Sequence, residues 1–205
     1  MTTTLPDRYT PAAMLLHWVI AALIMANIVL IYTTHQLAPA VQGGLIDIHM
    51  SIGLTVLGLV LLRILWRVSH RPPALPAAYA PWERRAAHAV HAAFYVVLLV
   101  LPLSGWLHDS AWKEAPANPY YWFGLFEVHR IKWIRELAPP LKEIWHARFL
   151  SVHVWSGYIL YALLCAHVAG VLKHQLLDRQ PELRRMMPWH GRTSGEVGGA
   201  RGPSA

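Results

Sequence analysis

Charged residues and cysteine are both scarce in this chain. Only 14% of its 205 residues are Asp, Glu, Lys or Arg, whereas a soluble domain normally carries about 25%. The single cysteine, Cys165, excludes an intrachain disulfide and a covalent haem attachment through a CxxCH motif. The sequence also contains neither a glycine-rich phosphate loop nor a nucleophile elbow. The usual signs of nucleotide-phosphate binding and of an activated serine are therefore missing.

Apolar residues, by contrast, make up 55% of the chain and are concentrated in four blocks. The blocks cover about 13–33, 45–68, 86–107 and 149–172, and each is near or above the roughly 20 residues that a helix needs to cross a bilayer. Because backbone polar groups in lipid must pair within their own segment, these blocks are expected to be helices. The sequence therefore predicts an all-α fold, an integral membrane four-helix bundle over residues 13–174.

Basic residues are unequally distributed among the segments that join these helices. The first connection has none, and the second has four arginines. Since Lys and Arg accumulate on the cytoplasmic side of membrane proteins, residues 1–12 and 175–205 are expected in the cytoplasm and the connection 108–148 outside. The end of the tail is expected to be disordered. This placement of basic residues, rather than nucleic-acid binding, explains the net charge of +7.

Four histidines lie in or beside the apolar blocks, at His17, His49, His153 and His167. The last two are fourteen residues apart, which is about 21 Å along a helix and close to four full turns, so both lie on one face. With the orientation given above, His49 and His153 lie near the outer side of the membrane. His17 and His167 lie near the inner side, so the four histidines form two levels.

Two histidine pairs at matching depths predict haem binding. An imidazole in lipid is costly unless it is paired, and ionisable residues in membrane helices mark functional sites. Bundle cores hold cofactors between facing helices, and haem with histidine on both sides favours electron transfer. Zinc prefers four close ligands, often Cys or carboxylate, which neither level offers. The sequence therefore predicts two non-covalent haem b groups stacked across the bilayer, with axial ligands at His17, His49, His153 and His167.

Other histidines compete with these four. His88 and His91, at the inner start of the third helix, could replace His17 or His167 by depth alone, and His108 lies at the outer end of the same helix. The alternative role for these three is hydrogen bonding to haem propionates or lining a quinone site.

Arg63 follows His49 by the same fourteen-residue interval, which places it at the depth of the inner pair. A guanidinium can bind a carboxylate through two parallel hydrogen bonds. We therefore expect Arg63 to pair with a haem propionate. The alternative is that its side chain extends to the membrane interface.

Several stretches of the sequence resemble the bacterial cytochrome b561 family. They are RYTPAAMLLHWVIAALI, IHMSIGLTVLGLVLLRILWR, AAHAVHAAFYVVLLVLPLSGWL and CAHVAGVLKHQLLDRQPELRRMMP. The resemblance covers residues 8–188 and implies a four-helix di-haem protein of the inner membrane. Residue by residue, it places the family's axial ligands at His17, His49, His153 and His167. His174 falls on the second histidine of the family's ending, with no assigned role.

The resemblance also implies electron transfer between an outer-face donor and the quinone pool. The family includes superoxide oxidase, in which superoxide is oxidised at the outer face and ubiquinone takes the electrons. One expectation is an enzyme of this type. The alternative is an electron-transfer subunit docked to a separate dehydrogenase or periplasmic partner. A third hypothesis is a transporter or scaffold whose histidines are structural.

The outer connection offers an interfacial segment and a candidate attractive surface for superoxide. HRIKWIREL is predicted as a short amphipathic helix with Trp133 as its anchor, and PYYWFGLFEV before it as part of an aromatic belt. Clustered positive charge raises the on-rate of an anion. Five acidic residues in the connection leave a net charge of only +1, which weakens this steering. The basic candidates are Lys113, Arg130, Lys132, Arg135 and Arg148.

Overall fold

The computed structural model describes residues 8–34, 36–76, 78–180 and 182–187. Helices dominate them. In chain order the elements are α1 Pro11–Thr34, α2 Pro39–Ser69, α3 Pro81–Ser110, a 3-10 turn Ala115–Ala117, β1 Tyr121–Trp122, β2 Phe126–Glu127, α4 Lys132–Arg135, α5 Pro139–Leu172, a π turn Lys173–Leu177 and α6 Glu182–Met186. Four of the helices, α1, α2, α3 and α5, are long and apolar enough to cross a membrane. The all-α four-helix bundle is confirmed, with a minimal β-hairpin added in the outer connection.

Each of the four long helices begins at a proline: Pro11, Pro39, Pro81 and Pro139. Proline suits the first helical position because its fixed φ matches the helix and its missing N–H would have no partner there. The helices therefore start before the apolar blocks from which they are predicted. At α3 the carboxylate of Glu83 also accepts the backbone N–H of Ala80, at 2.9 Å, which satisfies a free donor at the helix start.

Large apolar side chains cover the outside of the bundle. Leu15 and Leu65 are each 65% exposed, and Trp155 is 67% exposed. Contiguous apolar surface of this kind is rare on soluble monomers. Within a bilayer the same side chains face lipid, while the helices satisfy their own backbone hydrogen bonds. The exterior therefore agrees with a multi-pass membrane protein.

The four long helices do not pack equally against one another. α1 packs along α2, α2 against α3, and α3 most extensively against α5, while α5 has little direct contact with α1 or α2. An internal space, here called the interhelical slot, therefore separates α5 from α1 and α2. About halfway along the bundle, a cluster of buried apolar side chains closes this slot. Its members are Ile20, Ile24, Ile52, Val56, Val60, Val97 and Leu160.

The outer connection folds back onto α2 as a hairpin. β1 and β2 pair antiparallel, and the turn between them places Phe123 and Gly124 at φ of 46° and 74°. The Tyr120 hydroxyl and the Phe123 N–H each lie 3.0 Å from Ser51 Oγ. The Trp122 indole N–H donates to Thr55 Oγ1 at 3.1 Å. The aromatic segment predicted as an interfacial belt is thus fixed to α2 by three polar contacts.

The segment after α5 returns to the other end of the bundle. The indole N–H of Trp18, in the second turn of α1, donates to the carbonyl of Met186 at 2.8 Å. Arg185 donates to the carbonyl of Ala74, between α2 and α3, at 2.5 Å. The predicted disorder at the end of the tail concerns residues 191–205, which lie outside the described residues, as do residues 1–7 and 188–190.

Candidate functional site

The structure brings His49 and His153 together across the interhelical slot. His49 comes from α2 and His153 from α5, and their ring centres are 6.0 Å apart with the ring planes at 77°. This pair is called the outer pair, after its predicted side of the membrane.

Neighbours on α3 hold the His153 ring in one orientation. Its Nδ1 donates to the carbonyl of Leu101 at 2.9 Å, which leaves Nε2 as the acceptor nitrogen. Metal-binding histidines characteristically donate their second ring nitrogen in this way. Gly105 permits the close approach of α5, because a Cβ built there would lie 3.1 Å from both Cε1 and Nδ1 of His153. Sequence reasoning missed this glycine, since only the packing of two helices gives it a role.

A cavity of about 320 Å³ adjoins the outer pair. This volume falls at the lower end of the range of small-molecule sites, roughly 300–1,000 Å³. Its wall is mostly apolar, with side chains such as Ile24, Leu98 and Leu160. Two buried polar side-chain atoms on the wall, Asn27 Oδ1 and Trp106 Nε1, have no hydrogen-bond partner among the described residues. The His49 ring, by contrast, hydrogen-bonds the backbone of Asn27. Buried polar atoms are normally bonded, so the cavity has the features of a binding site for a molecule with polar groups.

The inner pair is His17 of α1 and His167 of α5, whose ring centres are 6.3 Å apart with the planes at 70°. Phe94 packs edge-on against His167 at 5.6 Å. The buried apolar cluster lies between this pair and the outer pair. The structure therefore unites both predicted pairs, each with one histidine on α5 and one across the slot.

The geometry of both pairs fits haem iron with two axial histidines. A metal–imidazole bond is about 2 Å long, and roughly 1 Å more separates each bound nitrogen from its ring centre, so two imidazoles on one iron have centres about 6 Å apart. The observed separations of 6.0 and 6.3 Å match this value. The hydrogen bond from the His49 ring to the backbone of Asn27 and the apolar cavity wall fit the same group.

His91 also reaches the inner pair. Its ring lies 5.7 Å from that of His167, nearly perpendicular to it, and its Nδ1 donates to the carbonyl of Ala87 at 2.6 Å. However, His91 is on α3, which packs directly along α5, so no slot separates these two histidines. His88 is exposed on the bundle surface, a position that does not suit a ligand inside the slot.

Arg63 lies at the inner level, as its spacing from His49 predicts. Its Nη1 donates to the carbonyl of Ala13, one turn before His17, at 3.0 Å. This bond joins α2 to the start of α1. A role toward a haem propionate stays a prediction.

Three further histidines have structural partners. His108 stacks on His146 with ring centres 3.8 Å apart, and each Nδ1 donates to the other residue's carbonyl at 3.0 Å. His146 was not singled out in the sequence, although it precedes His153 by two helical turns on α5. His174 binds Asp178 at 2.6 Å and stacks on Tyr79. Lys173 and His174 hold the pKa of the Asp178 carboxyl below its ordinary value.

Arg130, expected among the steering residues, is instead a buried clamp. Its Nε and Nη2 bind the Asp109 carboxylate at 2.7 and 3.0 Å, and Nη1 donates to the carbonyls of Ala115 and Asn118. Its side chain is only 8% exposed. The clamp ties the outer connection to the end of α3. The predicted amphipathic helix is a single turn, α4, and the N–H of Ile131 just before it donates to Ser110 Oγ.

These observations define a class, the multi-pass membrane helical bundles with paired histidines inside. Residues 8–189 match the family described as prokaryotic cytochrome b561. The chain belongs to this family, whose members are membrane electron-transfer proteins that bind haem b.

Relatives of known name match over nearly the full chain. "Cytochrome b561 homolog 2" of Escherichia coli (strain K12) is 29% identical over 198 residues, which cover 96% of this chain and 98% of the relative. "Probable superoxide oxidase CybB" of Yersinia pestis is 24% identical over 189 residues, 88% of this chain and 96% of the relative. "Cytochrome b561 homolog 1" of E. coli (strain K12) is 23% identical over 188 residues, 89% of this chain and 98% of the relative.

Proposed function

We propose that the chain binds two haem b groups, one at the outer pair and one at the inner pair, and transfers electrons between an outer-face donor and the quinone pool. The observation that carries the proposal is the separation of 6.0 and 6.3 Å between the paired rings across one slot. Haem held by these histidine pairs would supply reversible one-electron chemistry.

The protein's own residues orient the ligands and exclude water. The bond from His153 to Leu101 fixes its tautomer. The buried apolar cluster, in which Val60 is completely inaccessible, keeps water out of the space between the two levels. Arg63 supplies a positive charge at the inner level, where a haem propionate is its proposed partner.

His17, rather than His91, is the proposed partner of His167. A porphyrin needs a gap between the helices that carry its ligands, and the slot provides one between α1 and α5. The close packing of α3 on α5 leaves no such gap beside His91. His91→Ala should therefore keep both haems, while His17→Ala should lose the inner one. The reverse result would show that the inner pair is wrongly assigned.

The proposed location is the bacterial inner membrane, with both termini cytoplasmic and the outer connection in the periplasm. The distribution of Lys and Arg among the connections supports this orientation. An electron-transfer path across the membrane then joins the outer surface with quinone dissolved in the lipid.

Superoxide is the proposed outer donor. Two superoxide anions each lose one electron to become dioxygen, and one ubiquinone takes both electrons and two protons to become ubiquinol. The relative from Yersinia pestis named as a probable superoxide oxidase supports this substrate. Exposed basic side chains at Lys113, Lys132 and Arg135 of the outer connection would attract the anion.

Pairing of some of these charges favours the second candidate, a subunit that takes electrons from a docked dehydrogenase or periplasmic protein. Arg130 is neutralised by Asp109, and Lys132 lies 3.8 Å from Glu136. Less net positive charge then remains to steer a small anion.

Haem content tests the central claim. A pyridine haemochrome spectrum with a protein assay should give two haems per chain, and His153→Ala and His167→Ala should each leave about one. A colourless purified protein would end both redox candidates. The purified protein should also reduce ubiquinone when given superoxide alone, and changing Lys113, Lys132 and Arg135 to Gln should slow this chiefly at low ionic strength. Quinone reduction only with an added dehydrogenase would favour the docked subunit.

A further inference from the structure

The unpartnered polar atoms of the outer cavity differ in what they can bind. Asn27 Oδ1 is an acceptor. Trp106 Nε1 carries a hydrogen and can only donate. It is buried and has no acceptor among the described residues. A molecule in the cavity should therefore present an acceptor to Trp106.

Trp106 lies on α3 at the level of the outer pair. It directly follows Gly105, where a Cβ would lie 3.1 Å from two atoms of the His153 ring, and it is about 6 Å along the helix axis from the end of α3 at Ser110. Asp109, in the same cavity wall, lies three residues closer to that end. Trp106 is thus beside the outer pair and about one helical turn from the predicted outer end of the bundle.

The neighbouring polar groups at this end already have partners. Arg130 neutralises Asp109 through two short bonds. Ser51 Oγ donates its hydrogen to the carbonyl of Asp47 at 2.8 Å, so in the 3.0 Å contact with Tyr120 the tyrosine hydroxyl is the donor. Burial raises the pKa of Tyr120, which keeps that hydrogen in place. By contrast, the indole N–H of Trp106 is a donor that has no acceptor among the described residues.

We infer that the indole N–H of Trp106 donates to a propionate carboxylate of the haem at the outer pair. This inference rests on the proposed function, because it requires haem at that pair. Most of a haem is apolar, which suits the cavity wall, and its two carboxylates need hydrogen-bond donors and access to the aqueous side. A charged acceptor also forms a stronger hydrogen bond than a neutral one, and more so in a site shielded from water.

Trp106→Phe removes the N–H and keeps most of the aromatic side chain. The matched control is Trp155→Phe, because Trp155 is 67% exposed on the lipid side of α5 and does not line the cavity. Cells grown on 5-aminolaevulinic acid labelled with 13C at its carboxyl carbon give haem with labelled propionates. In infrared spectra, Trp106→Phe should shift a labelled carboxylate band, and Trp155→Phe should leave the bands as they are in the wild type.

Haem loss to an excess of apomyoglobin provides a second measurement. Loss of one hydrogen bond to a charged group should weaken outer haem binding by roughly tenfold to a hundredfold. In the His17→Ala background, which keeps only the outer haem, Trp106→Phe should accelerate haem loss. In the His153→Ala background, which keeps only the inner haem, it should have no effect.

The outcomes separate this inference from the proposed function. Two retained haems with unchanged carboxylate bands and unchanged haem loss in Trp106→Phe would refute the inference alone, and would indicate that the N–H bonds to water. An effect confined to the inner haem would also refute it. If His49→Ala and His153→Ala leave the wild-type haem content unchanged, the outer site itself is wrong and the proposed function fails.

Discussion

Gly105→Ala should loosen the outer haem site while leaving the inner site intact. The added methyl group would lie 3.1 Å from two atoms of the His153 ring, whereas carbon atoms pack best at about 3.5–4.0 Å. The ring cannot retreat freely, since its Nδ1 is bonded to Leu101 on the same helix as Gly105. Either the ring moves and the bond lengthens, or α3 and α5 separate.

The free-energy cost of this added methyl group follows from other cases in which a side chain is enlarged in a packed interior. Extra methyl groups in a close-packed interior typically cost about 1–3 kcal/mol. If this cost falls on the bound geometry of His153, haem affinity at the outer pair drops by about fivefold to about 150-fold. The assay is haem transfer to apomyoglobin together with haems per chain. Gly58→Ala on α2 is the control, because a Cβ there meets nothing within 4 Å.

Two results would refute this reasoning. One is an unchanged rate of haem loss in Gly105→Ala, which would show that the contact does not determine the position of His153. The other is loss of the inner haem, which would mean that Gly105 acts through the bundle as a whole. Equal weakening by Gly58→Ala would point to a general effect of alanine on these helices.

Two further predictions concern groups outside the histidine pairs. Asp109→Asn should lower the melting temperature in detergent, because removing one partner from a buried ion pair typically costs about 3–5 kcal/mol. Adding Arg130→Gln should recover part of this loss. A double variant that is no more stable than Asp109→Asn alone would contradict the prediction. The pKa of Asp178 is lowered by Lys173 and His174, so its carboxylate stabilises the fold above its ordinary pKa of 3.8, and this contribution is lost as pH falls through the lowered value. The difference in unfolding free energy between the wild type and Asp178→Asn should therefore shrink below pH 3.8, and a constant difference would count against it.

The four membrane helices were predictable because lipid imposes a simple rule on sequence. Twenty apolar residues in a row have few structural alternatives. The true ends of the helices were not predictable from hydropathy, since the first turns are polar or short in apolar residues. The prolines at Pro39, Pro81 and Pro139 mark those starts, and reading them as first-turn residues would have extended each helix correctly.

The pairing of the histidines also followed from the sequence. Helical rise converts residue numbers into depth, and depth selects His49 with His153 and His17 with His167, the pairs that the structure brings within ring contact. Spacing alone left His91 open as a competitor. Only helix packing distinguishes it, because packing places the slot between α1 and α5.

Contacts between distant segments account for what sequence reasoning missed. The roles of Gly105, Trp106 and His146 depend on how closely α3 approaches its neighbours, which periodicity does not report. Arg130 was grouped with exposed bases because it lies in the basic segment HRIKWIREL, yet it forms a buried ion pair with Asp109, 21 residues earlier. The hairpin was hidden because its strands have two residues each and its turn places a phenylalanine at positive φ.

Helix α5 contributes one histidine to each pair, and this limits how the segment between the two histidines can change in length. Inserting a single residue between His153 and His167 would rotate one of them by about 100° and remove it from the slot. Inserting four would restore the face but shift the levels apart by about 6 Å. The spacing between the two sites can therefore change only in coarse steps of about one helical turn, so that divergent chains that keep both sites should differ here by whole turns or not at all.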